Sequence, residues 1–183
     1  MEKKKTSPGS WKNSLSQLLE TQPASFPKIA ILGIGNSLRS DDAAGVLVAR
    51  ELGKSRLMRD LDFVRVWDAG HAPENSTAVL RRFGPQIVLL IDAAQLDEAP
   101  GTIRWIDMED LDGLSASTHS MPLSMLAKYL NLELGCDLKL LGIQPRSNEF
   151  GEMVSAEVLQ AVEKIVAELT NIFKRVTAHF PTA

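Results

Sequence analysis

The side chains with the most chemical potential are the carboxyl groups of Asp41, Asp42, Asp68 and Asp92 and the imidazoles of His71 and His119. Asp41 and Asp42 close the run Gly33-Ile34-Gly35-Asn36-Ser37-Leu38-Arg39-Ser40, where a helix is expected to start. A carboxylate there satisfies orphan N–H groups and complements the helix dipole. One aspartate suffices for that, so Asp41 is read as the cap and Asp42 as the functional acid. Asp92 follows the apolar run Ile87-Val88-Leu89-Leu90-Ile91. An uncompensated carboxylate at that place is costly to desolvate, so it faces an ion or partner, or accepts N–H bonds from the next loop. His119, in Thr118-His119-Ser120, precedes a helix expected from Pro122. The positive end of that helix favours neutral imidazole, the form that binds metal. Taken singly, His119 is an ordinary loop histidine; with Asp42 and Asp92 it makes a three-ligand oxygen and nitrogen set with open positions, suited to zinc, nickel or a similar divalent ion. Asp68 and His71, at the end of another strand, are secondary candidates.

Other chemistries lack their residues. The chain has a single cysteine, Cys136, which excludes an intrachain disulfide framework or a cysteine zinc cluster. No Gly-x-Ser-x-Gly elbow, His-Glu-x-x-His pair or Walker loop occurs. Gly33 and Gly35 suggest a dinucleotide loop, but Leu38 stands where the fingerprint needs a small residue, and Asp41-Asp42 would repel a pyrophosphate. Twenty Lys and Arg against 23 Asp and Glu give a net charge of -3, which argues against nucleic acid as a partner. No run approaches the roughly 18 apolar residues of a membrane helix, and no apolar signal core follows the initial lysines. A cytoplasmic protein is expected.

These residues need a scaffold that delivers them to one place. Among 183 residues, 44% are hydrophobic, enough for one buried core. From Lys28 onward, apolar runs alternate with amphipathic stretches, the pattern of a βαβ array. Strands are expected over 29–32, within 62–68, over 87–91, 102–107 and 138–143; helices are expected from Asp41, over 73–83, from Pro122 and over 155–173. The 87–91 run, apolar without alternation, should be the central strand, and the alternating 102–107 run an edge strand able to run antiparallel. The fold class is α/β: a three-layer sandwich with a mostly parallel, twisted sheet of about five strands and helices on both faces. In such sheets ligands sit beyond the carboxyl ends of the strands, where the candidate residues fall. Residues 1–26 read as a separate N-terminal extension, either a short amphipathic helix through Trp11, Leu15, Leu18 and Leu19 or a solvated tail, and 27–183 as a single domain. Because no motif lies before Lys28, removal of residues 1–26 is expected to leave folding and activity largely intact.

Several of these stretches together resemble the maturation endopeptidases of nickel-iron hydrogenases, most closely the type that processes the large subunit of the formate hydrogenlyase hydrogenase. They are Gly33 to Gly45, Asp68-Ala-Gly-His-Ala-Pro-Glu-Asn75, Leu90-Ile-Asp-Ala-Ala94, Pro100-Gly-Thr102, Thr118-His-Ser-Met-Pro-Leu123 and Leu141-Gly-Ile-Gln-Pro145, spread over about Lys28 to Thr170. The resemblance implies an enzyme that removes a C-terminal extension from a hydrogenase large-subunit precursor after nickel insertion. It implies Asp42, Asp92 and His119 as nickel-contacting residues, nickel carried by the substrate, and no organic cofactor. Lewis-acid polarisation by the ion and general-base action by a carboxylate are both open. The chain departs from the family pattern at Ala43, where glycine often follows the acidic pair, and at His71, where a small residue often stands. Two alternatives remain: a nickel- or precursor-binding chaperone without turnover, and a nicotinamide-binding oxidoreductase, which the missing third glycine disfavours.

Overall fold

The computed structural model describes residues 10–20, 26–107 and 122–179. Its strands are β1 (Ile29–Ile34), β2 (Val64–Gly70), β3 (Ile87–Ala93), β4 (Ile103–Asp107) and β5 (Asp137–Ile143). Its helices are α1 (Ser10–Glu20), α2 (Ala44–Lys54), α3 (Arg56–Asp60), α4 (Thr77–Phe83), α5 (Leu123–Leu134) and α6 (Ala156–His179), with 3₁₀ turns at Ser40–Ala43 and Pro73–Ser76. Strand order is β2-β1-β3-β5-β4. All pairings are parallel except that of β4 with β5, so the run at 87–91 is central and the alternating run forms an antiparallel edge.

Alternation along the strands builds two cores. Ile29, Ile31, Leu89 and Ile91 point to one face, where α1, α2, α3 and α6 cover them. Ala30, Leu32, Val88 and Leu90 point to the other, beneath α4 and α5. The long closing helix α6 presents Val158, Val162, Ile165, Leu169, Ile172 and Phe173 at three- and four-residue intervals, the stripe a single buried face requires. Helix α1 belongs to the same core: Trp11, Leu15 and Leu19 are each at most 2% exposed. The expectation that residues 1–26 can be dispensed with takes no account of that burial.

Element starts differ from the sequence expectation in one instructive respect. The helices expected at Asp41 and Pro73 both open as 3₁₀ turns before becoming α-helical. In the first of these the tighter turn keeps Ser40, Asp41, Asp42 and Ala43 buried.

Candidate active site

The loop after β1 is folded tightly enough to bury two carboxylates side by side. Gly35 has a φ of +135°, and a Cβ there would lie 1.7 Å from the Asp42 carbonyl oxygen. Only glycine permits that approach. Gly45 in the first turn of α2 lies against the ends of β1 and β3, where a Cβ would meet the Ile91 and Ile34 carbonyl oxygens at 1.9 and 2.4 Å. At Gly33 a Cβ would lie 2.1 Å from the Gly45 carbonyl oxygen, so the Gly-x-Gly spacing has a packing explanation without a dinucleotide. Leu38, which the fingerprint would place in close helix packing, is 63% exposed, and Gly45 provides the close contact instead.

Asp41 and Asp42 diverge in role. Asp41 is fully buried and accepts four hydrogen bonds: from Arg146 N (2.7 Å), Ser147 N (3.2 Å) and Ser155 Oγ (2.9 Å) on Oδ2, and from Ser155 N (2.7 Å) on Oδ1. The helix cap expected of Asp41 is not made; the carboxylate instead fastens the distant loop between β5 and α6. Asp42 is 2% exposed, and its Oδ2 accepts from Asn36 N at 2.8 Å. Ser40, just before the pair, has a φ of +43°. Side chains seldom adopt that conformation, and here the Ser40 hydroxyl, donating to the Met153 carbonyl at 2.9 Å, helps to hold it.

Asp92 reaches the same edge of the sheet along β3. It pairs in register with Gly142 of β5, one residue beyond the last β1–β3 pairing, Gly33 with Ile91. It is 1% exposed and, by alternation, projects on the α4–α5 face. The 3₁₀ turn carrying Asp42 packs directly on β3, the strand carrying Asp92. Two buried carboxylates thus meet the carboxyl end of the sheet from adjacent elements.

Gln144 fixes the chain that leaves this point. Buried at the end of β5, it accepts from Leu96 N at 2.7 Å and donates to Gln95 Oε1 at 3.1 Å. The segment following Asp92 is held by that side chain. Its sequence signal is a polar residue at the end of an apolar strand run, a position where burial demands internal partners.

His119 lies outside the described residues. Helix α5 leads through only Gly135 and Cys136 into the start of β5 and packs along that strand, so its opposite end, at Leu123, lies at the carboxyl edge with Asp92. Asp68 is drawn elsewhere, accepting from Arg50 Nε at 2.8 Å and Gly70 N at 3.1 Å. His71 is exposed on the turn after β2. Among the described residues, no group of three His, Cys, Asp or Glu side chains is disposed to hold a metal ion. Cys136 is buried, its thiol donating to the Leu130 carbonyl at 3.5 Å, and burial pushes its pKa up; it has the character of a core residue.

A doubly wound α/β domain with a polar site beyond the strand ends is the class of protein that this geometry defines. Comparison with known proteins narrows it. Residues 46–172 match the family model HycI, hydrogenase maturation protease. The Hydrogenase 3 maturation protease of Escherichia coli is 34% identical over 140 residues, covering 76% of this chain and 86% of that protein. The crystal structure of the nickel-iron hydrogenase maturation protease HycI from Thermococcus kodakarensis superposes with a TM-score of 0.77 at 30% identity, covering 88% of this chain and 99% of that one. The solution structure of endopeptidase HycI from Escherichia coli gives 0.67 at 33% identity, over 76% and 87%. The chain belongs to the hydrogenase maturation protease family. It is an enzyme of the peptide-bond hydrolase class. Among the described residues, no helix is long and apolar enough to cross a membrane.

Proposed function

We propose that this chain is the endopeptidase that removes the C-terminal extension of a nickel-iron hydrogenase large-subunit precursor once nickel is in place, with Asp42, Asp92 and His119 completing the coordination of an ion that the substrate brings. The observation that carries this reading is the burial of Asp42 and Asp92 on adjacent elements at one sheet edge. Nickel arriving on the substrate's own ligands meets two carboxylates already brought to that edge and delivers the scissile segment at the same moment, so recognition and positioning are one event. The ion polarises the scissile carbonyl or its attacking water. The carboxylates are the groups available to accept the water's proton, which then passes to the leaving amine.

The test is mass spectrometry of a nickel-loaded precursor incubated with the purified protein. Release of a C-terminal peptide is expected. Stable binding without release would convert the reading to a chaperone.

A further inference from the structure

Leu38, Phe150 and Met153 are 63%, 71% and 90% exposed. They belong to two loops far apart in sequence that are hydrogen-bonded into one surface. Gly151 N donates to the Leu38 carbonyl at 2.9 Å, and Ser40 Oγ to the Met153 carbonyl at 2.9 Å. Asp41 joins the same loops through Arg146, Ser147 and Ser155, and its own N donates to the Ser147 carbonyl at 3.1 Å. Large apolar side chains held in water on a fastened backbone mark a contact surface. Preordered loops also lose little conformational entropy when a partner seats on them. In the same loop, Arg39 Nε is buried and has no hydrogen-bond partner among the described residues. A guanidinium can only donate, so an incoming oxygen is what would satisfy it.

We propose that Leu38, Phe150 and Met153 form an apolar lip that seats an apolar side chain of the precursor segment adjoining the scissile bond, and that Arg39 donates to a carbonyl or carboxylate oxygen of that segment. The proposal rests on the function proposed above, because the choice of occupant comes from the neighbouring site. Leu38 and Arg39 lie in the loop that ends in Asp42, and Met153 is bonded to Ser40 in that loop. A segment presented to Asp42 therefore passes this surface.

The experiment compares the full-length protein with the triple variant Leu38→Ser, Phe150→Ser, Met153→Ser and with Arg39→Gln, using nickel-loaded precursor. For the triple variant, KM should rise about tenfold or more, as for loss of central contact residues, with kcat within about twofold and the melting temperature held. For Arg39→Gln, KM should rise severalfold. A triple variant with KM within about twofold of wild type overturns the lip, and an unchanged KM for Arg39→Gln overturns the arginine contact. Should the triple variant not fold, Phe150→Ser and Met153→Ser are read singly by the same criterion. If the wild-type protein releases no peptide, the protease reading fails. The lip is then read from precursor Kd, where a tenfold loss in the triple variant supports it and an equal Kd overturns it.

Discussion

Ser155 donates to Asp41 twice, from its backbone N to Oδ1 at 2.7 Å and from its hydroxyl to Oδ2 at 2.9 Å. Ser155 also opens α6, since its carbonyl accepts from Leu159 N at 3.0 Å. One buried carboxylate in the first loop therefore anchors the start of the longest helix, where a negative charge also complements the helix dipole. Asp42, adjacent in the chain, accepts from Asn36 N within its own loop.

This contrast separates stability from activity within one dipeptide. Asp41→Ala strands several buried donors and should cost about 3 kcal/mol, or roughly 6–12 °C in melting temperature. Asp42→Asn and Asp92→Asn keep the volume and should shift melting by a few degrees at most, while lowering the cleavage rate roughly 10²–10⁴-fold. Asp68→Asn and His71→Ala should lower it less than about tenfold. Thermal melts run beside single-turnover cleavage decide the matter; a folded Asp41→Ala protein slower than Asp42→Asn would reverse the assignment.

The apolar runs at 29–32 and 87–91 were legible as covered parallel strands, because a strand buried on both faces shows no alternation. So was the alternating edge at 103–107, where one face is wetter. A structural role for Asp41 was legible in the acidic pair, but not the right one. Asp41 is satisfied by Arg146, Ser147 and Ser155, and a local reading of helix starts cannot see a partner more than a hundred residues away. Gly45 was hidden for the same reason, since its need for a bare Cα arises from the Ile91 carbonyl of β3.

Deleting residues 1–26 should destabilise the protein. Trp11, Leu15 and Leu19 are buried against the face that α6 covers, and burial of each large side chain is worth roughly 1.5–3 kcal/mol before the cost of ordering the helix. A clear fall in melting temperature is expected, with kcat retained well below the new midpoint because the described site elements lie outside α1. An unchanged melting temperature would show that the docked helix contributes no net stability.

The Cys136 thiol should resist alkylation until the protein unfolds. Burial raises its pKa above the unfolded value of about 8.5, so the thiol contributes stability that is fully present below that pH and is lost as pH rises through the folded value. Melting temperature should fall more steeply for wild type than for Cys136→Ala as pH rises above about 8.5. Parallel pH profiles, or rapid iodoacetamide labelling of native protein, would contradict this.

Cleavage should depend on nickel in the precursor and not on a metal carried by the enzyme. The ligand set proposed above, two carboxylates and an imidazole with no thiolate, would be a modest one for nickel in competition with other ions. An ion already held by the substrate needs only the remaining positions filled, and the affinity of that shared site appears only when both proteins are present. The free enzyme can then pass through a chelator, be separated from it and keep its activity on loaded precursor, while precursor without nickel stays intact. Reagents aimed at serine or cysteine nucleophiles should have no effect, since Cys136 is buried with a raised pKa. Equal processing of both precursors would remove nickel as the recognition element, and activity lost to the chelator and restored by added metal would make the protein a metalloprotease with its own ion.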